Sequence, residues 1–262
     1  MGLYLRAVYH DSNRSPRYPQ PVPTRSTKDL DVILSADLVA SASHMERLRD
    51  TLLEMGYEPE TPHFQFAREL ETGRQIEIDL LAAPPRSEDV EKVHRSGIRA
   101  RPKESEKIHG RVAQEARSIK RNAIGIDLSQ AAADLEIEVD NTTVFIPSSF
   151  NYLILKLHAF RDRMDQDDEK SDLGRHHALD LFTTITDMSR EDWKDAEEHF
   201  EAECAQEYLQ EAISIQQQYF SDLSDLGVRR IKENETYQRH ADEFEDYLPD
   251  FVDDMNALFS GC

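Results

Sequence analysis

The sequence predicts an α+β fold, a mixed β-sheet with flanking helices followed by an acidic helical C-terminal region. Two patterns carry this. In the first third of the chain, short segments alternate apolar and acidic residues with the period of a strand. From Ser148 onward, apolar residues recur at helical spacing instead. The strand-like segments end near Pro147, so the expected domains are 1–147 and 148–262.

The elements follow in order. Leu3 to His10 reads as one or two helical turns, and the four prolines of SPRYPQPVPTRST, residues 15–27, exclude a helix or central strand there. DLDVIL, residues 29–34, alternates strictly and is read as a strand. SASHMERLRDTLLEM, residues 41–55, spaces Met45, Leu48, Leu52 and Met55 as one helix face, with Gly56 as its stop. HFQFAREL, residues 63–70, a turn at Glu71 to Gly73, and RQIEIDLLAA closed by Pro84-Pro85 add two more strands. Residues 90–121 show weak helical character. LEIEVDNTTVFIP, residues 135–147, reads as a hairpin turning at Asp140-Asn141-Thr142. FNYLILKLHAFRDRM and HHALDLFTTITDM are amphipathic helices, and residues 190–258 are helical and acidic.

Composition narrows the function. A net charge of −21 over 262 residues argues against a general nucleic-acid coat, because phosphate binding needs local positive charge. The charge is uneven, however. Between Lys92 and Arg121 ten cations face three glutamates, a local balance of +7. This basic segment, 90–121, is read either as a guide for an RNA acceptor or as a solvated charged face. It holds no aromatic residue for base stacking. No apolar run approaches a membrane span, and the N-terminal stretch lacks a signal-peptide pattern, so a cytoplasmic protein without membrane contact is expected. The two cysteines, Cys204 and Cys262, have no metal-ligand spacing and suggest a reducing compartment.

The chemistry-bearing pattern is a set of carboxylates. Residues two apart on a strand share a face, so Asp29 and Asp31 lie together opposite Leu30, Val32 and Leu34. Glu77 and Asp79 share a face in the same way, opposite Ile76, Ile78 and Leu80. Like charges crowded on one sheet face need solvent or a cation between them. Magnesium suits such oxygen donors, and two ions held there activate an attacking oxygen and steady a leaving pyrophosphate. Taken alone, a D-x-D on a half-exposed strand is common by chance.

In its wider context the pattern resembles a known superfamily. RSTKDLDVIL, residues 25–34, resembles the R-x-T-x-D-h-D-h signature (h apolar) of the minimal, AbiEii-like nucleotidyltransferases. IEIDLL, residues 76–81, is similar to the strand that carries their third aspartate. YLILKLHAFRDR, residues 152–163, resembles their lysine-bearing helix, and GRHHALDL, residues 174–181, their final motif. The four motifs, in order, cover roughly residues 1–185. The resemblance implies a nucleotidyltransferase-like sheet and transfer of a nucleoside monophosphate from a nucleoside triphosphate to an RNA or protein hydroxyl. It also implies a toxin–antitoxin or phage-defence setting, with an antitoxin partner. Asp29, Asp31 and Asp79 would hold two Mg2+ ions, and Asp79 would help activate the acceptor. Lys156 would meet the phosphates, Asp180 would support the site, and Arg25 and Lys28 would neutralise triphosphate charge.

One departure stands beside this. Family members carry a Gly-Gly or Gly-Ser turn upstream of the first aspartates, whereas that stretch here holds Gly2 alone. The departure motivates a second reading, a catalytically silent relative that binds nucleotide, RNA or a protein partner. A third reading keeps the metal site but hydrolyses a phosphodiester. Read without the resemblance, Lys156 is a snorkelling lysine on an apolar helix, and Asp180 an ordinary hydrogen-bonded helix carboxylate. His158, His176 and His177 are read as packing or surface residues, and Trp193 as a helix anchor.

Overall fold

The structure, a computed structural model, describes residues 15–19, 29–60, 63–85, 90–129, 133, 143–164 and 172–261, with the side chain of Asp29 left out. The chain divides into two compact units. One is Ser26–Arg117, and the other joins Met1–Arg25 to Ser118–Cys262. The division differs from the expected boundary at Pro147: residues 118–147 go with the helical unit.

The 26–117 unit is built on a mixed sheet of seven strands: β1 (Asp29–Leu34), β2 (Glu58–Glu60), β3 (Gln65–Glu69), β4 (Gln75–Ala82), β5 (Val93–Ser96), β6 (Arg99–Pro102) and β7 (Gly110–Val112). β4 is its centre. Along one edge it pairs with β1 in parallel. Along the other it pairs first with antiparallel β3, then with parallel β7, which continues to β6 and β5. The junction needs a glycine, because a Cβ at Gly110 would stand 2.7 Å from that of Ala82.

Alternation gives this sheet two unlike faces. Leu34, Phe66, Ile78, Leu80, Ala82, Val93 and Ala100 form a buried core with Met45 and Leu52, and Val32 and Val112 pack against it. Met45 and Leu52 come from α2 (Ala42–Glu54), capped by Ser41 and stopped at Gly56, whose φ of 81° suits glycine. A short α1 (Ala36–Val39) precedes it. The strands at 29–34, 65–69 and 75–82 follow the alternation in the sequence. The basic segment does not follow its weak helical reading: it contains β5, β6 and β7, with Gly97 at φ 58° in the β5–β6 turn.

The other unit is mainly helical: α3 (Ser149–Met164), α4 (Arg175–Asp187), α5 (Arg190–Glu203), α6 (Glu207–Tyr219), α7 (Leu226–Lys232), α8 (Glu235–Gln238), α9 (Ala241–Phe244) and α10 (Tyr247–Leu258). Its core is aromatic, with Phe182 edge-on to Phe251 at 5.5 Å and Phe160 edge-on to Phe220 at 4.9 Å. A Ser189–Asp192 capping box starts α5. Residues 15–19 are fixed here through Arg17, whose guanidinium lies 4.1 Å from the Trp193 ring and pairs with Asp254 at 2.8 Å.

A two-stranded sheet pairs β8 (Ile124–Asp127) with β9 (Thr143–Ile146). Of the expected 135–147 hairpin, residues 143–146 pair with 124–127, and residues 135–142, like residues 3–10, lie outside the described residues. Cys204 is disulfide-bonded, which departs from the reducing compartment that the cysteine count suggested; Cys262 lies outside the described residues. No described helix is long and apolar enough to cross a membrane.

Candidate functional site

The parallel pairing of β1 with β4 sets Asp31 directly opposite Asp79 and Asp29 opposite Glu77. Paired residues on neighbouring strands point to the same side, so the polar face carries Asp31, Glu77 and Asp79 together. Gln65 of β3 pairs with Asp79 from the other edge and extends the row. Asp31 is exposed, whereas Asp79 is half-buried. The Oδ1 atom of Asp79 is buried and has no hydrogen-bond partner. A carboxylate oxygen in that state loses its water without compensation, unless a cation or donor comes to it.

Further along the same face the charge reverses. Arg99 of β6 lies directly opposite Arg111 of β7, and Arg111 lies opposite Leu81, two residues beyond Asp79 on β4. Arg101 turns to the carbonyls of Pro102 and Ser105 and pairs with Glu106 at 2.9 Å. The side chains of Arg99 and Arg111 make no ion pair or hydrogen bond among the described residues. Beside them His109 stands edge-on to His63, with ring centroids 5.8 Å apart. Neither ring nitrogen of His109 has a hydrogen-bond partner of normal geometry. Burial lowers its pKa, and the charges of His63, Arg101 and Arg99 lower it further, with the Glu106 carbonyl pulling weakly the other way.

The remaining predicted residues are placed as follows. Lys156 of α3 and Asp180 of α4 meet each other, Nζ to Oδ2 at 3.0 Å, with both side chains mostly buried and the ammonium 5.0 Å from the Tyr152 ring. They belong to the helical unit, and Asp31 and Asp79 to the sheet unit. Arg25, Lys28 and the Asp29 side chain lie outside the described residues. Among the described residues no three His, Cys, Asp or Glu side chains gather to hold a metal ion. The set that remains without Asp29 is therefore a pair rather than a triad. His158 is structural, buried with Nε2 3.1 Å from the Tyr208 carbonyl, and His176 pairs with Asp172.

The sequence reading missed Arg99, Arg111 and His109 as neighbours of the carboxylates. A signal for Arg99 existed in RARP, residues 99–102, where two arginines alternate with Ala100 and Pro102 after Gly97. It also missed a buried polar network in the helical unit. There Tyr208 donates to Glu203 at 2.6 Å while its oxygen lies 3.0 Å from the Ser118 hydroxyl, Arg121 donates to Glu203 at 3.0 Å, and Ser118 Oγ lies 2.8 Å from the Asn151 amide oxygen. No protein-family model matches this chain, and neither the curated proteins nor the solved structures give a match.

Proposed function

We propose that the chain is a metal-dependent nucleotidyltransferase that moves a nucleoside monophosphate from a nucleoside triphosphate to an acceptor hydroxyl. The observation that supports this most is the register of β1 on β4, which sets Asp31 beside Asp79 while Asp79 keeps a buried oxygen without a partner. An all-oxygen donor set of this kind fits Mg2+. Asp31 and Asp79 would hold it, with Asp29 completing the set. When bound, the metal neutralises phosphate charge and polarises the α-phosphoryl group. In the reaction the acceptor oxygen bonds to the α-phosphorus, the bond to the bridging oxygen of pyrophosphate breaks, and Asp79 receives the hydroxyl proton. The remaining task is positioning and electrostatics, which a rigid sheet face provides.

The resemblance to AbiEii-like transferases adds an RNA or protein acceptor to this reading, and a toxin–antitoxin or phage-defence setting. The test is transfer of label from α-labelled nucleoside triphosphates to RNA or protein, with Mg2+ and with EDTA. Asp31→Asn combined with Asp79→Asn should abolish transfer while circular dichroism stays unchanged. Magnesium-dependent transfer retained in that variant would overturn the site. Nucleotide binding without transfer would favour the silent relative, and free monophosphate without a labelled acceptor would favour hydrolysis.

A further inference from the structure

The polar face of the sheet shows a cost that its fold does not explain. Directly opposite like charges in an antiparallel pair repel. Arg99 and Arg111 are such a pair, and neither has a carboxylate partner among the described residues to relieve the repulsion. The face nevertheless holds anions close by: Arg111 is one strand from β4, and Asp79 lies two residues along β4 from the residue Arg111 faces. Two strand spacings, about 10 Å, separate β6 from β4. Two unpaired guanidiniums thus lie beside two carboxylates on one rigid surface, with His63 and His109 at the junction of β3 and β7.

We propose that Arg99 and Arg111 bind the polyphosphate of the nucleoside triphosphate, as a phosphate subsite carried on β6 and β7. The proposal rests on the transferase reading for its ligand, but the subsite stands on the arginines alone. Guanidinium forks suit phosphate oxygens, and an anion between them turns their repulsion into two charge-assisted contacts. Seated there, a polyphosphate runs towards Asp31 and Asp79, where the metal would meet its α-phosphoryl end. A nucleotide fits better than a nucleic-acid backbone for two reasons. The cations directly opposed on this face are two, Arg99 and Arg111, and the basic segment offers no aromatic ring for stacking bases.

The test uses the full chain and inorganic tripolyphosphate in EDTA, followed by calorimetry. Wild-type protein should bind, more weakly as salt rises. Arg99→Ala with Arg111→Ala should lose roughly tenfold to a hundredfold in affinity. Arg99→Lys with Arg111→Lys should keep most of the binding, which guards against a folding defect in the alanine variant. Asp31→Asn with Asp79→Asn should bind as well as wild type or better, since it removes repelling charge. Wild-type binding that is absent, or equal in the alanine variant, would overturn the subsite. So would a short single-stranded RNA that displaces tripolyphosphate and binds more tightly than ATP, because the arginines would then serve a nucleic acid. Tripolyphosphate bound through these arginines without nucleotidyl transfer would uphold the subsite and remove the transferase reading. Transfer without arginine-dependent binding would do the opposite.

Discussion

The two units treat polar groups in opposite ways. In the helical unit the charged groups near the core are tied to each other: Arg121 to Glu203, Glu203 to Tyr208, and Lys156 to Asp180 at 3.0 Å. The buried side-chain groups left over there include the Ser149 hydroxyl, the His199 ring and the Nε of Arg230, whose guanidinium is otherwise paired with Glu233. On the sheet face charged groups are left over, namely Arg99, Arg111 and the Oδ1 of Asp79. A closed network stabilises a fold, whereas unsatisfied charge on a rigid surface is what a ligand completes. The contrast separates residues that hold the protein together from residues available for chemistry.

The largest expected effect lies in the helical core. Phe182 is fully buried and edge-on to both Tyr237 and Phe251. Phe182→Ala should cost about 3–5 kcal/mol, since neighbouring rings cannot collapse into the space. Urea unfolding followed by far-ultraviolet circular dichroism reads this directly. A midpoint equal to wild type would show that the aromatic cluster is not what holds the unit.

How much of this was legible depends on strand length and on how far apart the partners lie. β1 and β4 were readable because residues 29–32 and 75–80 alternate polar and apolar residues, and burial of Ile78 and Leu80 follows that alternation. β5, β6 and β7 span three or four residues each, and arginines fill their solvent side, so a few apolar positions had to carry the pattern. The carboxylates Asp31 and Asp79 were legible as residues on one kind of face. Their direct opposition was not, because register is fixed by pairing across 48 positions of chain. The Lys156–Asp180 pair was hidden for a related reason: each residue looks ordinary on its own helix, and the contact exists through the packing of α3 on α4.

Acid should test the helical unit next. Burial pushes the His199 ring down to about 4, with Glu203 opposing and Arg121 adding to the shift. An unfolded histidine titrates near 6.5, so between about pH 6.5 and 4 the unfolded chain binds a proton that the folded chain refuses. Stability therefore falls as pH falls through that window, by at most about 3 kcal/mol. Glu203 acts in the same direction at lower pH. Burial would raise its carboxyl, but Tyr208 and Arg121 hold it below the usual range, and its contribution is lost as pH drops through that folded value. Urea midpoints from pH 7 to 4.5 should decline in wild type and flatten in His199→Leu. Parallel slopes in the two proteins would assign the acid response to other groups.

The smallest effect is the most direct way to break the contrast. If Arg99 and Arg111 are held for a ligand, the fold gains nothing from them. Directly opposed like charges cost a few tenths of a kcal/mol on a sheet. Arg99→Ala should therefore leave the urea midpoint unchanged or raise it slightly at low salt, with the difference vanishing as salt screens the pair. Glu203→Gln, by contrast, removes the charge and one of the two accepting oxygens in the helical unit and should lose about 2 kcal/mol. A loss near that size in Arg99→Ala would mean that the guanidinium or its stem supports the sheet. Arg99 would then belong with Arg121 and Lys156, among the cations that hold the fold, and the repulsion across β6 and β7 would need another explanation.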